Sequence, residues 1–196
     1  MRLILATRNP GKVAELAERL DGLGVELTSA AALDGAPEVV EDADTLRGNA
    51  EKKARALFAH TGTPALADDT GLEVDALGGR PGVRSARYAG EHATDAANRH
   101  LLLSELAGAS TRAARFRTVL AYVDADGAHC FDGVCEGEIT PRETGAGGFG
   151  YDAVFRPTAG DGRTFAEMTS AEKNAISHRG RALDAFAAWL DGRPGA

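Results

Sequence analysis

The chain has 196 residues and carries 29 Asp and Glu against 22 Lys and Arg, a formal charge of −7. That length predicts one domain, or two tightly fused lobes, able to bury a core without a disulfide or metal staple. Hydrophobic residues at 43% and charged residues at 26% argue against wholesale disorder, and the acidic balance counts against a general nucleic-acid binder. It leaves room for one nucleotide in a locally basic pocket.

In chain order, Leu3 to Ala6 reads as a short buried strand, and Asn9-Pro10-Gly11 as a turn. Val13 to Leu20 has helical spacing, and Val25 to Thr28 reads as a second strand. Thr45 to His60 is helical, with Asp44 as its expected N-cap. Pro64 to Ala67 is a buried strand expected to end on Asp68-Asp69, and a Gly-rich stretch runs from Gly71 to Gly90. Thr94 to Leu106 is helical. Arg115 to Asp124 and His129 to Ile139 alternate around Asp126-Gly127, a hairpin signal. Gly145 to Asp152 is a Gly-rich loop, and Ser170 to Leu190 is the last helix. This mixture predicts an α/β chain with a mixed sheet.

Cys130 and Cys135 belong to no C-x-x-C pair; they are read as small apolar side chains in a β-rich segment rather than zinc ligands. No apolar run approaches the ~20 residues that span a bilayer. The opening MRLILATRNPGK reads as a buried strand rather than a signal peptide. The expectation is a soluble cytoplasmic protein without a membrane partner. Of the 22 cations only Lys12, Lys52, Lys53 and Lys173 are lysines. Lys is a compact, flexible point charge where Arg is a rigid fork, so these four positions invite a reason.

Five segments can carry chemistry. Thr7-Arg8-Asn9-Pro10-Gly11-Lys12 joins a strand to a helix, where outward N–H groups and the macrodipole favour an anion. The spacing is not that of a Walker A loop, and the other reading is an ordinary strand–turn–helix capped by Asn9. Asp68 and Asp69 sit at the end of an apolar strand, where open α/β sheets bind ligands. They point to opposite faces, so they do different jobs; capping acids in a turn are the alternative. Glu41, in Val40 to Asp44, can supply a second hard oxygen for Mg²⁺, while Asp42 and Asp44 suit the start of the next helix. Lys52 and Lys53 diverge by 100°, so one at most faces a site with Asp69. Gly147 to Asp152 offers close backbone approach, a stacking face in Phe149 and an acceptor in Asp152, or simply a tight turn with a core aromatic. Glu172 to Gly180 brings Lys173, His178 and Arg179 to one ligand only if a helix break lies within it; otherwise it is a solvated polar face.

In order and spacing these segments resemble the Ham1/inosine triphosphate pyrophosphatase family, whose bacterial members act on dITP, XTP and other non-standard purine NTPs. The likeness covers nearly the whole chain. It rests on T-x-N-x-x-K at Thr7 to Lys12, ADDTGLEVDALGGRPGVRSARYAG at Ala67 to Gly90, GGFGYD at Gly147 to Asp152 and EKNAISHRG at Glu172 to Gly180. It implies one domain over residues 1–196, with an elongated mixed β-sheet, flanking helices and two lobes around a central cleft. It also implies a homodimeric, Mg²⁺-dependent hydrolase that cuts ITP, dITP or XTP to the monophosphate and pyrophosphate. By the same resemblance, Thr7, Arg8, Asn9, Pro10, Gly11, Lys12 and Lys53 hold phosphates, and Thr70 reaches sugar or phosphate. Glu41 and Asp69 hold Mg²⁺, Asp69 is the general base, and Asp68 is an orienting acid. Phe149, Gly150, Tyr151, Asp152, Lys173, His178 and Arg179 surround the base. Arg8 and Gly48 depart from the usual pattern, Gly48 weakening its helix by ~1 kcal/mol against Ala.

Hypoxanthine and xanthine present an O6 acceptor and an N1–H donor, and adenine presents the reverse. Asp152 can accept from N1–H, Lys173, His178 or Arg179 can donate to O6, and Phe149 can stack. The rivals are a Maf-like pyrophosphatase, against which GGFGYD and SHRG count, and a silent nucleotide sensor, which has no need for Glu41 and Asp69.

Overall fold

The computed structural model describes residues 1–7, 9–21 and 24–193. A seven-stranded mixed sheet has the order β2-β1-β3-β5-β6-β7, with β4 paired to β3. Its strands are β1 (Arg2–Leu5), β2 (Glu26–Ser29), β3 (Ala65–Val74), β4 (Pro81–Gly82), β5 (Ala113–Asp124), β6 (Gly127–Ile139) and β7 (Phe155–Pro157). β1 lies parallel to both β2 and β3, whereas β3 with β4 and β6 with β7 are antiparallel. A parallel strand flanked on both edges is buried on both faces. The unbroken run Leu3-Ile4-Leu5, at most 6% exposed, suits that place.

The helices are α1 (Pro10–Leu20), α2 (Leu46–Thr61), α3 (Asp95–Glu105), α4 (Ser170–Ile176) and α5 (His178–Asp191). Among the described residues no helix is long and apolar enough to cross a membrane. The chain forms two compact units. Unit 1 is Met1–Asp69, Thr118–Gly133 and Arg179–Ala196. Its core gathers Leu3, Leu5, Leu16, Leu20, Leu66, Tyr122, Leu183 and Phe186, so α1 and α5 bury their apolar stripes with the strands. Unit 2 is Thr70–Arg117 and Val134–His178, with a core of Leu72, Leu102, Phe116, Val154, Phe155 and Phe165. Phe116 meets Phe155 edge-on with centroids 4.7 Å apart. Each such buried side chain stabilises its unit by ~1.5–3 kcal/mol.

Four expectations change in detail. β3 does not stop at Asp68-Asp69 but continues to Val74, because both acids are buried against cations and the alternation resumes at Leu72 and Val74. The cap of α2 is Thr45, whose hydroxyl accepts from Gly48 N at 3.0 Å, and not Asp44. The hairpin turn is Ala125-Asp126, with Gly127 already in β6 at φ +132°. The last helix is two, separated by Ser177 in extended backbone (φ −73°, ψ 160°). Serine competes for backbone hydrogen bonds and breaks a helix readily. Gly48 also gains a reason: a Cβ there would lie 2.8 Å from Ala43 Cβ. Both cysteines are free thiols, Cys135 buried and Cys130 partly so.

Candidate active site

In unit 1, β1 runs through Thr7 and Asn9 into α1. Asn9 Oδ1 accepts from Gly11 N at 2.9 Å and Lys12 N at 3.3 Å, and Thr7 Oγ1 accepts from Asn9 N. Pro10 opens the helix, a position that needs no N–H. The turn is thus capped from within and presents the ammonium of Lys12. Arg8 lies outside the described residues.

Asp68 and Asp69 are 2% and 6% exposed, and strand alternation gives them different partners. Asp68 Oδ2 meets Lys12 Nζ at 2.9 Å and Arg179 Nη2 at 3.2 Å. Arg179 is almost wholly buried and also donates to Glu15. Burial alone would raise the Asp68 carboxyl, but Lys12, Arg179 and Lys53 outweigh it and hold it well below the usual carboxylate range. Arg179 therefore stands with the acid of unit 1, while its neighbour His178 belongs to unit 2.

Asp69 is in the opposite condition. Burial pushes its carboxyl up to about 6; Lys53 opposes the shift and Glu41 reinforces it. Lys53 Nζ reaches Asp69 Oδ1 at 3.3 Å and Glu41 Oε1 at 3.1 Å. Burial would lower the Lys53 ammonium, but Asp69, Asp68 and Glu41 raise it. The divergence of the two α2 lysines is as the helix repeat requires: Lys53 is 12% exposed at this site, whereas Lys52 is 44% exposed and pairs with Asp42.

One residue here escaped the sequence reading. Asn49, fully buried, donates from Nδ2 to Asp69 Oδ2 at 3.2 Å and accepts from Ala43 N at 2.9 Å. It ties the segment that carries Glu41 to Asp69. Its signal was present, since Asn49 and Lys53 lie four apart on one helix face.

Among the described residues no group of three or more His, Cys, Asp and Glu is placed to hold a metal ion. Glu41 and Asp69 are two hard carboxylates close enough for one to raise the other's pKa, with one ammonium between them. A divalent cation would relieve that repulsion. Mg²⁺ characteristically takes one or two carboxylates and completes its shell with phosphate oxygens and water, so this donor set fits it.

In unit 2, Thr70 follows Asp69 on β3 and is half-buried. The loop Gly147 to Asp152 closes as a tight turn. Asp152 Oδ2 accepts from Phe149 N at 2.9 Å and from Lys173 Nζ at 2.8 Å. This ion pair is only 5–6% exposed. Lys173 Nζ also lies 4.7 Å from the centre of the Phe149 ring, within cation–π range. His178 is buried and stacks on Phe116 with centroids 4.5 Å apart. Tyr151 turns into the core, its hydroxyl donating to Ser85 O at 2.8 Å. Gly150 is held on both sides by α3: its N–H donates to Asp95 and its carbonyl accepts from Arg99. Those two α3 residues also escaped the sequence reading.

Unit 1 therefore gathers cations and an elevated carboxyl, suited to a polyanion and to proton abstraction. Unit 2 gathers a buried donor, a buried acceptor and an aromatic face, suited to a heterocycle. The chain is 51% identical over 186 residues to the dITP/XTP pyrophosphatase of Desulforamulus reducens, covering 93% of this chain and 92% of that protein. It is 50% identical over 185 residues to the dITP/XTP pyrophosphatase of Geobacter sulfurreducens, with 93% and 92% covered. Among solved structures it is similar to a HAM1 protein from Coxiella burnetii, with a TM-score of 0.90 and 40% identity over 98% of this chain and 100% of that one. The Ham1 protein of Staphylococcus aureus has a TM-score of 0.88 and 34% identity over 98% and 99%. With residues 3–189 matching the Ham1 family and close relatives sharing half of its residues over nearly its full length, the chain belongs to the Ham1 family.

Proposed function

We propose that the protein hydrolyses non-standard purine nucleoside triphosphates, ITP, dITP or XTP, to the monophosphate and pyrophosphate. One observation carries the hydrolytic part of the reading: consecutive acids on β3 meet different partners, Asp68 with Lys12 and Arg179 and Asp69 with Lys53 and Asn49, so that the first carboxyl is held down while burial lifts the second to about 6. Environments that push neighbouring titratable groups apart in this way distinguish a structural anion from a base. Asp69 then takes a proton from the attacking water. Asp68 keeps its charge because Arg179 and Lys12 neutralise it. Arg179 alone can hold it once Lys12 turns to a phosphate. Among the described residues of unit 1, Lys12 and Lys53 would meet a triphosphate with about four negative charges, and Thr7 and Thr70 add hydroxyls.

Glu41 and Asp69 would hold Mg²⁺, which supplies charge neutralisation at the phosphoryl oxygens. In unit 2, Asp152 accepts from the purine N1–H, Lys173 or His178 donates to O6, and Phe149 stacks on the ring. Adenine reverses both hydrogen-bonding groups and would set its 6-amino donor against the Lys173 ammonium and its N1 acceptor against the Asp152 carboxylate. Mismatches of that kind reject a substrate by ~10⁴-fold or more. Family likeness further supports a cytoplasmic homodimer that cleanses the nucleotide pool, and light scattering of the purified protein checks the dimer.

The deciding experiment is a substrate panel with product identification. Mg²⁺-dependent pyrophosphate release from ITP, dITP or XTP, much faster than from ATP, is the expected result. Orthophosphate as the direct product, or equal rates on ATP, refutes the reading.

A further inference from the structure

Phe149 to Asp152 form a turn closed by Asp152 N donating to Phe149 O at 3.2 Å. Gly150 at φ +60° and Tyr151 at φ −100°, ψ 10° are the angles of a type II′ turn, whose first central residue needs a positive φ. The two ends of this turn carry the stacking ring and the acceptor of the proposed base site. Its middle is held by a different element. Asp95 and Arg99 lie four apart in the first turns of α3, on one helix face. Asp95 Oδ2 accepts from Gly150 N at 2.7 Å, and Arg99 Nη1 donates to Gly150 O at 2.8 Å. Arg99 is itself held, its Nε 3.0 Å from Glu143 Oε2 and its side chain 17% exposed. A cavity of about 210 Å³ lies against the same turn, lined by Asp95, Arg99, Glu143 and Phe149. Packing therefore does not fill the space on the Gly150 side of the turn, where the two charge-assisted hydrogen bonds fix the peptide, while Tyr151 and the Asp152–Lys173 pair anchor its other end.

We infer that Asp95 and Arg99 are positioning residues that set base discrimination by clamping the Gly150 peptide. The inference rests on the base-reading role proposed for Phe149, Asp152 and Lys173. In this reading both act through the Gly150 peptide and not through the nucleotide itself. They act by fixing the angle of the Phe149 ring and the distance of the Asp152 carboxylate. A freed turn samples positions from which N1–H and the ring face are no longer met together. The chemistry in unit 1 is left as it was.

The test compares Arg99→Ala and Asp95→Ala with Asp95→Asn, whose amide oxygen still accepts from Gly150 N. Steady-state kinetics on ITP and ATP gives the kcat/KM ratio, and calorimetry with IMP and AMP gives binding without turnover. Loss of one charge-assisted hydrogen bond predicts that each Ala variant lowers the ITP-to-ATP ratio about tenfold, through KM for ITP, with kcat within about twofold. IMP affinity falls in parallel, and Asp95→Asn retains the wild-type ratio. An unchanged ratio in both Ala variants overturns the inference, as does a loss confined to kcat. A wild-type protein inactive on ITP refutes the proposed function itself, which is a separate and earlier result.

Discussion

Replacing Asp69 by Asn will stabilise the metal-free protein while abolishing most turnover. Burial, reinforced by Glu41, lifts the Asp69 carboxyl from 3.8 to about 6. A raised acid binds its proton more tightly in the folded chain than in the unfolded one. Stability therefore falls as pH rises from ~4 to ~6, and the full penalty is present above that window. At ~1.4 kcal/mol per pH unit, the ionised form is disfavoured by ~3 kcal/mol at pH 8. Asn removes that charge and keeps an oxygen for the Asn49 amide; the attraction of Lys53 is already contained in the shift, because Lys53 opposes it. The net gain is ~3 kcal/mol at pH 8, falls to about half of that near pH 5 and vanishes only below ~4, where the acid is protonated in the folded and the unfolded chain alike. Urea melts in EDTA at the two pH values measure it. Turnover of ITP with Mg²⁺ should fall at least ~100-fold, the usual contribution of a general base. A variant less stable than wild type at pH 8, or one that retains turnover, refutes the assignment of Asp69 as a strained base.

Gly148→Ala should cost ~2–4 kcal/mol, because φ is +70° and the new Cβ would collide with Asp152 Oδ2, forcing the buried pair with Lys173 apart; a denaturant midpoint unchanged from wild type contradicts this. Arg179→Met leaves Asp68 and Glu15 buried without their guanidinium and should destabilise by ~3–5 kcal/mol. Because the Asp68 carboxyl is held down in the folded state, that deficit is present at neutral pH and narrows as pH falls through ~4; a deficit that widens in acid speaks against it. Lys173→Arg puts a larger, planar group into a site 6% exposed, between Phe149 and Asp152. KM for ITP should rise about tenfold, and a wild-type KM shows that a compact cation is not required there.

Much of the site could be read from local spacing. That Asp68 and Asp69 do different jobs follows from strand alternation, and that Lys53 rather than Lys52 faces them follows from 100° per residue. One helix was expected over Ser170 to Leu190, and a break within it was named only as the condition for Lys173 and His178 to serve one ligand, because residues five apart do not share a helix face; the structure has that break at Ser177. The length of β3 was not legible. An Asp-Asp pair reads as a turn unless its countercharges are known, and Lys12, Lys53 and Arg179 come from three distant segments. Asp95 and Arg99 were missed for a different reason. Their partner is the Gly150 peptide, and a backbone group leaves no mark in the sequence that identifies what binds it.

Arg179 opens the last segment of unit 1, on the final helix, and its partner Asp68 lies more than a hundred residues earlier. A chain growing from the ribosome completes β3 long before that guanidinium emerges. Until then Asp68 lacks its guanidinium partner, and unit 1 also lacks Leu183 and Phe186 from its core. Products truncated before α5 should therefore fail to close unit 1 and be exposed to proteases. Nucleotide-binding competence and completed synthesis are thus coupled, and interrupted translation should yield unfolded chains rather than inert decoys that hold nucleotide without turning it over.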